Sequence, residues 1–308
     1  MLRELSTSLA RQPWIRKAAV STPGVRDLAW RFVAGETLEA GLATTRALNA
    51  RGIKATLTCV GTHVRAEEQA VAAASAAVAS LERIVAGQLD ANISIKLTQI
   101  GLDIDEELCR TQLGRVVGRA AQLDNFVWID LEESRYVPRT LRLFEEAREA
   151  YGIDAVGIVV QSYLRDRAGD LERLLAGHSR IRLVKGGYWE PAEVVYRRRT
   201  EIDRAFLQDI DLLLARGYRP AIATHDERAV RRACDVAAAA GLDKQAFEFQ
   251  MLYGVREDLQ ERLVGAGYPV RSYVPYGDQW YEYLLGCIRR IPGGAFRRLL
   301  DRLRPGDA

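Results

Sequence analysis

The segment FVWIDLEESRYVPRTLRLFEEAREAYGIDAVGIVVQ, residues 126–161, decides the fold. It opens with Phe126–Asp130, an apolar run of strand length closed by an acid. Pro138–Tyr151 follows as an amphipathic helix. Pro138 suits a first helical turn, where its missing N–H leaves nothing unpaired. Gly152 suits a left-handed cap at the far end. Ala155–Gln161 is then apolar on both faces, as strands buried in a parallel sheet are. Strand, helix and strand in this order make one β/α/β unit.

The unit recurs in both directions. Upstream lie Lys54–Val60 and Ile93–Leu97; downstream lie Ile181–Lys185, Pro220–Thr224, Ala246–Gln250 and Pro269–Tyr273, which makes eight strands. Helical patterns separate them: Arg65–Ala86, Asp105–Leu123, Ala192–Arg216 as the longest, Glu227–Ala240 and Arg256–Ala266. Gly217, Gly241 and Gly267 stand where caps belong, and Pro191 where a first turn would start. Glu36–Ala50 reads as an extra helix before the first strand, and Trp280–Ile291 as a final one. Eight alternating units in a 308-residue chain predict a single α/β domain, a (β/α)8 TIM-like barrel. Its parts are N-terminal helices in 1–52, barrel strands in 53–275, and a final helix and tail in 276–308. A doubly wound open sheet would place a glycine-rich phosphate turn after its first strand; GTHVRAEE stands there instead.

The apolar and charged fractions, 48% and 28%, are those of a soluble globular protein. A net charge of +3 gives no ground for nucleic acid binding. Cys59, Cys109, Cys234 and Cys287 form no CxxC pair, so reduced thiols are expected and a zinc site is not. No apolar run approaches the roughly 18 residues that span a bilayer. Met1–Lys17 lacks a signal-peptide core and suits a short amphipathic helix. Only five of 44 basic residues are lysine, so a lysine in an unusual place is informative.

A barrel carries its chemistry at the C-terminal ends of its strands. Those ends bear Lys96, then Asp130 with Glu132 and Glu133, then Gln161 with Tyr163 and Arg165. They continue with Arg182 and Lys185 before Gly186-Gly187-Tyr188-Trp189, then Thr224-His225-Asp226, Glu248 and Gln250, and Tyr273. So many polar closures describe a lined cavity. Taken singly the readings are blander: His225 could cap the next helix with Asp226, and Glu132 and Glu133 could be solvated loop acids. Glu248, between Phe247 and Phe249, needs a partner, and a strand-end cation is expected. His63 and His178 are assigned no chemistry. A Schiff-base aldolase would use Lys96 or Lys185 as nucleophile. No pair of acids suits a glycosidase, and His225 lacks partners for a metal. A bound organic cofactor best unites arginine, glutamine, threonine, histidine and tryptophan at one mouth.

The strand-end segments SIKLTQIGLD (94–103), VWIDLEES (127–134), IVVQSYLRD (158–166), RLVKGGYWE (182–190), ATHD (223–226), FEFQMLYG (247–254) and YVPYGDQWYEYL (273–284) resemble the proline dehydrogenase family. The resemblance implies a distorted barrel carrying FAD over its strand ends. It implies oxidation of L-proline to 1-pyrroline-5-carboxylate by hydride transfer to flavin N5, with electrons passed on to a membrane quinone. Lys96 then looks like the lysine facing the substrate carboxylate, and Asp130 like the acid that orients basic groups. Gln161, Arg182, Lys185, Gly187, Trp189, Thr224, His225, Glu248 and Gln250 fall at cofactor positions. Tyr188 and Leu252 fall at pocket walls, and Tyr273 and Tyr283 at tyrosines bounding the ring. The family ends this region as WYxYxxRR, its arginines clamping the carboxylate. Here Gly286-Cys287 stands in that place and Arg289-Arg290 comes three residues later, about 4.5 Å along a helix and on nearly the same face. Three readings stay open: the shifted pair still binds carboxylate, the substrate is a different cyclic amino acid or amine, or the protein binds flavin without turnover. A cytoplasmic location is implied, with contact at the inner membrane face through the N-terminal helix or the basic segment Arg297–Arg304.

Overall fold

The computed structural model describes residues 29–61 and 63–290 together with Gly24 and Arg26, with side chains through Leu285. Eight parallel strands close into a barrel in chain order: β1 Lys54–Cys59, β2 Ala91–Lys96, β3 Val127–Asp130, β4 Val156–Gln161, β5 Arg180–Val184, β6 Ala221–Ala223, β7 Glu248–Leu252 and β8 Val270–Tyr276. Closure is made by β8 on β1, where Thr56 faces Tyr273 in register. Around the barrel run α1 Leu38–Asn49, α2 Glu67–Ala86, α3 Glu106–Gln122, α4 Val137–Tyr151, α5 Arg167–Ala176, α6 Arg199–Arg216, α7 Glu227–Ala239 and α8 Glu257–Gly265, with α9 Trp280–Arg290 last.

Helix α1 precedes β1 yet covers the seam between β1 and β8. Gly41 allows this approach, since a Cβ there would meet Leu57 Cδ2 at 2.9 Å and the Tyr276 ring at 3.2 Å. The last helix is thereby released from the barrel wall. It starts beyond the C-terminal end of β8, and Trp280, Tyr281 and Leu284 pack on Ala29, Phe32 and Val33 beside Val255. The Trp280 indole N–H donates to Glu36 at 3.1 Å. Met1–Lys17 and Arg297–Arg304 lie outside the described residues.

The structure alters several boundaries. Helix α5 was not among the predicted elements; its ten residues bury only Leu171, Leu174, Leu175 and one arginine, too short an apolar stripe to announce itself. Helix α6 begins at Arg199 rather than Ala192, so Pro191 opens no helix. Residues 186–198 form an irregular strap instead, tied to the rim where Val195 bridges Leu164. The longest helix among the described residues is therefore α2, with 20 residues. By length and composition α2 could cross a membrane, but Ala70, Ala74, Leu81 and Ile84 are buried and its packing is that of an outer barrel helix. Strand β7 starts two residues later than expected because Lys244–Ala246 make a 3-10 turn. Gly152, Gly241 and Gly267 have positive φ, whereas Gly217 is extended at ψ 150° and caps without a left-handed turn.

Inside the barrel, alternate residues point inward, and many are polar where branched apolar residues are usual. Thr56 donates to Asn92 at 2.6 Å. Arg271 on β8 holds Glu248 on β7 at 2.9 and 3.1 Å and donates to the Ala55 carbonyl at 2.8 Å. Arg180 lies over the Phe126 ring, 3.8 Å from its centre. Charge is thus paired or stacked at depth, and the upper barrel is left for a second, denser polar group.

Candidate active site

Asp130, the last residue of β3, is the hub of that group. Its Oδ1 accepts from the Ser94 hydroxyl at 2.7 Å and from Arg182 Nη1 at 2.9 Å. Its Oδ2 accepts from the Tyr273 hydroxyl at 2.7 Å and from Lys96 Nζ at 3.1 Å. Ser94 and Lys96 are two residues apart on β2, so both face inward. Four strands, β2, β3, β5 and β8, thereby converge on one carboxylate. The Arg182 guanidinium also lies 4.6 Å from the centre of the Trp128 ring, stacked on an apolar floor.

The electrostatics follow from this wiring. Burial disfavours charge on Asp130, but Lys96 and Arg182, with bonds from Ser94 and Tyr273, outweigh it and hold the carboxyl below its ordinary value. Burial likewise opposes the Lys96 ammonium, and Tyr273 and Asp130 outweigh it, raising its pKa well above the usual lysine value. A Schiff-base nucleophile needs the reverse, a neutral amine at working pH. Lys185, the other aldolase candidate, is turned away from the barrel axis toward α6 and α7. It pairs with Asp203 and with Asp226, the latter at 2.8 Å. The two strand-end lysines therefore belong to different environments.

Other expected residues fall as follows. Gln161 is buried, and its side-chain amide donates to the Leu131 and Glu132 carbonyls at 3.0 and 2.8 Å. Thr224 is buried and accepts from the Asp226 N–H at 3.1 Å. His225 Nε2 accepts from the Leu252 N–H at 2.9 Å, pinning the end of β7. Burial, helped by Arg256, lowers its pKa to about 4, so its imidazole is neutral. Leu252 is half-buried and sits beside Tyr273 in register. Tyr188 is near enough to Lys96 to act on its charge. Gly187 is exposed. Trp189 is 79% exposed, with Arg197 over its ring at 5.7 Å. Tyr283 is half-buried against the cluster that seats α9. The backbone of α9 reaches Arg290, while the side chains of Arg289 and Arg290 lie outside the described ones.

Two expectations are corrected. Glu248 is the first residue of β7, and its cation is Arg271 on the adjacent strand rather than a strand-end group. It bonds the amide of Gln250, so it reaches the mouth only through that neighbour. Glu132 is no solvated acid: it is 2% exposed and accepts from the Thr98 N–H and hydroxyl at 3.1 and 2.8 Å. Sequence reasoning missed Ser94, Trp128 and Arg271. The signal was available for Ser94, whose two-residue spacing from Lys96 puts both on one strand face.

Among the described residues, several buried side-chain atoms have no hydrogen-bond partner, and three of them stand at this site. Gln161 Oε1, Arg182 Nε and Arg182 Nη2 are such atoms, and burying them unpaired is costly.

The family model described as Proline dehydrogenase matches residues 41–291. Proline dehydrogenase 1 of Bacillus subtilis subsp. natto is 35% identical over 295 residues, covering 96% of this chain and 97% of that protein. Proline dehydrogenase of Deinococcus radiodurans is 34% identical over 298 residues, 96% of each chain. Among solved structures, proline utilization A from Bdellovibrio bacteriovorus superposes with a TM-score of 0.83 at 24% identity, over 90% of this chain and 34% of that longer one, a likeness of fold. The match over most of the barrel, with relatives aligned nearly end to end, shows that this chain belongs to the proline dehydrogenase family.

Proposed function

We propose that this protein oxidises L-proline to 1-pyrroline-5-carboxylate in proline catabolism, with FAD as its cofactor. The observation that carries the reading is the Asp130 hub, which presents Lys96, Arg182 and Tyr273 together at the strand ends. The unpaired atoms fit a flavin ring. Its carbonyls and ring nitrogens offer acceptors for Arg182 Nε and Nη2, and its ring N–H a donor for Gln161 Oε1. Exposed Trp189 and Gly187, buried Thr224 and half-buried His225 would hold the remainder of the dinucleotide, with Lys185 toward its phosphates. Gln250 would contribute from β7, and Glu248 through it.

The flavin, when bound, supplies the two-electron acceptor. The protein supplies position and field. Lys96 Nζ has three donors and spends one on Asp130, with Tyr273 at 3.5 Å. A donor remains for a substrate carboxylate. Tyr273 and Leu252, paired in register, offer adjacent walls to a small apolar ring. Tyr188 would bound the pocket from the strap after β5, and Tyr283 from α9. Arg182 keeps a cationic edge where negative charge develops on the acceptor. Asp130, 2.9 Å away, offsets part of the burial that opposes the Arg182 charge. Arg289 and Arg290 complete the carboxylate clamp in this reading. Their displacement favours a second reading, a different cyclic amino acid or amine. Electrons pass onward to a membrane quinone, which places the protein in the cytoplasm at the inner membrane face.

The cofactor test is direct. Protein purified from cells should be yellow, and the chromophore released by denaturation should run as FAD. A colourless protein that FAD cannot reconstitute would reject the proposal.

A further inference from the structure

Arg182 Nη1 is bonded twice, to Asp130 Oδ1 at 2.9 Å and to the Ser94 hydroxyl at 3.1 Å. The same hydroxyl lies 2.7 Å from Asp130 Oδ1 as donor. Serine offers one donor and two acceptor lone pairs, so it can serve both neighbours at once. Its carbonyl contact to Trp128, at 3.3 Å, is the longer and neutral alternative for that proton. Ser94 is 3% exposed, so water does not compete.

An arginine beside a carboxylate tends to engage it with two N–H groups in parallel. Here that fork does not form. Oδ2 is taken by Tyr273 and Lys96, and Ser94 shares Oδ1 with a single guanidinium nitrogen. The Trp128 ring beneath the guanidinium and Tyr273 beside it, 4.6 and 5.6 Å from ring centre to Cζ, limit tilting but not rotation within its plane. Ser94 limits that rotation. The consequence is that Nε and Nη2, both buried, stay without a partner among the described residues.

We propose that Ser94 is a positioning residue. Its hydroxyl fixes the angle at which Arg182 Nη1 meets Asp130 Oδ1 and so holds the Nε–Nη2 edge toward the flavin ring. The inference rests on the flavin reading above. Removing the hydroxyl opens a lone pair on Oδ1, and the guanidinium turns to fill it. The free edge then swings off the site although every charged residue remains.

The test uses the holoenzyme as wild type, Ser94→Ala, Ser94→Cys and Ser94→Thr. Cysteine keeps the volume without a strong donor, and threonine keeps the hydroxyl. Flavin midpoint potential, visible spectrum, thermal midpoint and anaerobic bleaching by proline are measured on each. For Ser94→Ala and Ser94→Cys the saturating bleaching rate should fall about tenfold with the apparent proline constant within about twofold. The preference for reduced flavin should weaken about tenfold, which is about 30 mV more negative for a two-electron couple. The spectrum should shift, and Ser94→Thr should recover most of each change. Wild-type potential and rate in Ser94→Ala would overturn the proposal. So would a lower thermal midpoint with an unmoved potential, which is a structural role only. If Ser94→Ala does not fold, Ser94→Cys decides by the same outcomes, and failure of both to fold also overturns it. If wild type itself is not bleached by proline, the substrate reading fails, while the potential difference still decides the role of Ser94.

Discussion

The phenol of Tyr273 on β8 donates to Asp130 on β3 at 2.7 Å, across the barrel interior and past two intervening strands. That bond ties the last strand of the barrel to the charged hub. It means that Asp130 acts as an organiser: with four donors on two oxygens it has little capacity left for a substrate.

Asp130→Asn keeps the shape and removes the charge between Lys96 and Arg182. Two cations then face each other in a mostly buried site. Breaking a buried pair on one side typically costs about 3–5 kcal/mol, so the urea midpoint should fall clearly. Flavin reduction by proline should fall by about two orders of magnitude, read by anaerobic stopped flow. A near-wild-type rate would remove Asp130 from the mechanism.

His225 gives the protein a pH signature. Its folded pKa is about 4 against an ordinary 6.5, so in this window the unfolded chain binds a proton that the fold refuses. Stability from this group is full above about pH 6.5 and is lost as pH falls toward 4. The span is on the order of 3 kcal/mol. Subtracting the urea stability of His225→Asn from that of wild type at pH 7.5, 5.5 and 4.5 should show a shrinking difference. A constant difference would rule out the neutral buried imidazole.

Arg167 and Asp209 clamp α5 to α6 through two bonds, 2.6 and 3.0 Å, with both side chains under a tenth exposed. Asp209→Ala should destabilise the fold by about 3–5 kcal/mol. The pair replaced together by Met and Leu should recover much of that loss. Chemical denaturation checks both, and the flavin bleaching rate per folded molecule should be unchanged in each.

The barrel itself was readable because each buried parallel strand is a short apolar run and the helices between carry their own period and glycine stops. What resisted reading has physical causes. Helix α5 is one short stripe, and 192–198 is helical in composition but belongs to a strap held by Leu164 and Tyr163 from the neighbouring loop. Lys96, Asp130, Arg182 and Tyr273 were legible as strand-end residues, and the structure brings all four together. Lys185 looked equivalent on sequence, yet one residue of register turns it outward to Asp203 and Asp226. Glu248 and Arg271 show the limit most clearly: two charges on adjacent strands are visible in sequence, but their pairing is a matter of register, Gln250 facing Arg271.

Arg289 and Arg290 carry the open question of substrate. If they form the clamp, replacing both with methionine should raise the apparent proline constant at least tenfold while FAD stays bound, read by titrating anaerobic bleaching. Unchanged kinetics would assign carboxylate binding to Lys96 without them.

This barrel is proposed to take two electrons from the C–N unit of proline into a bound flavin. Anaerobic addition of L-proline to the purified holoprotein, followed at the flavin absorbance maximum beside hydroxyproline, pipecolate and pyrrolidine, tests it most directly. L-proline should bleach the flavin rapidly and saturably, and pyrrolidine, which lacks the carboxylate proposed to meet Lys96, much more weakly. A flavin that stays yellow with proline under these conditions would contradict it.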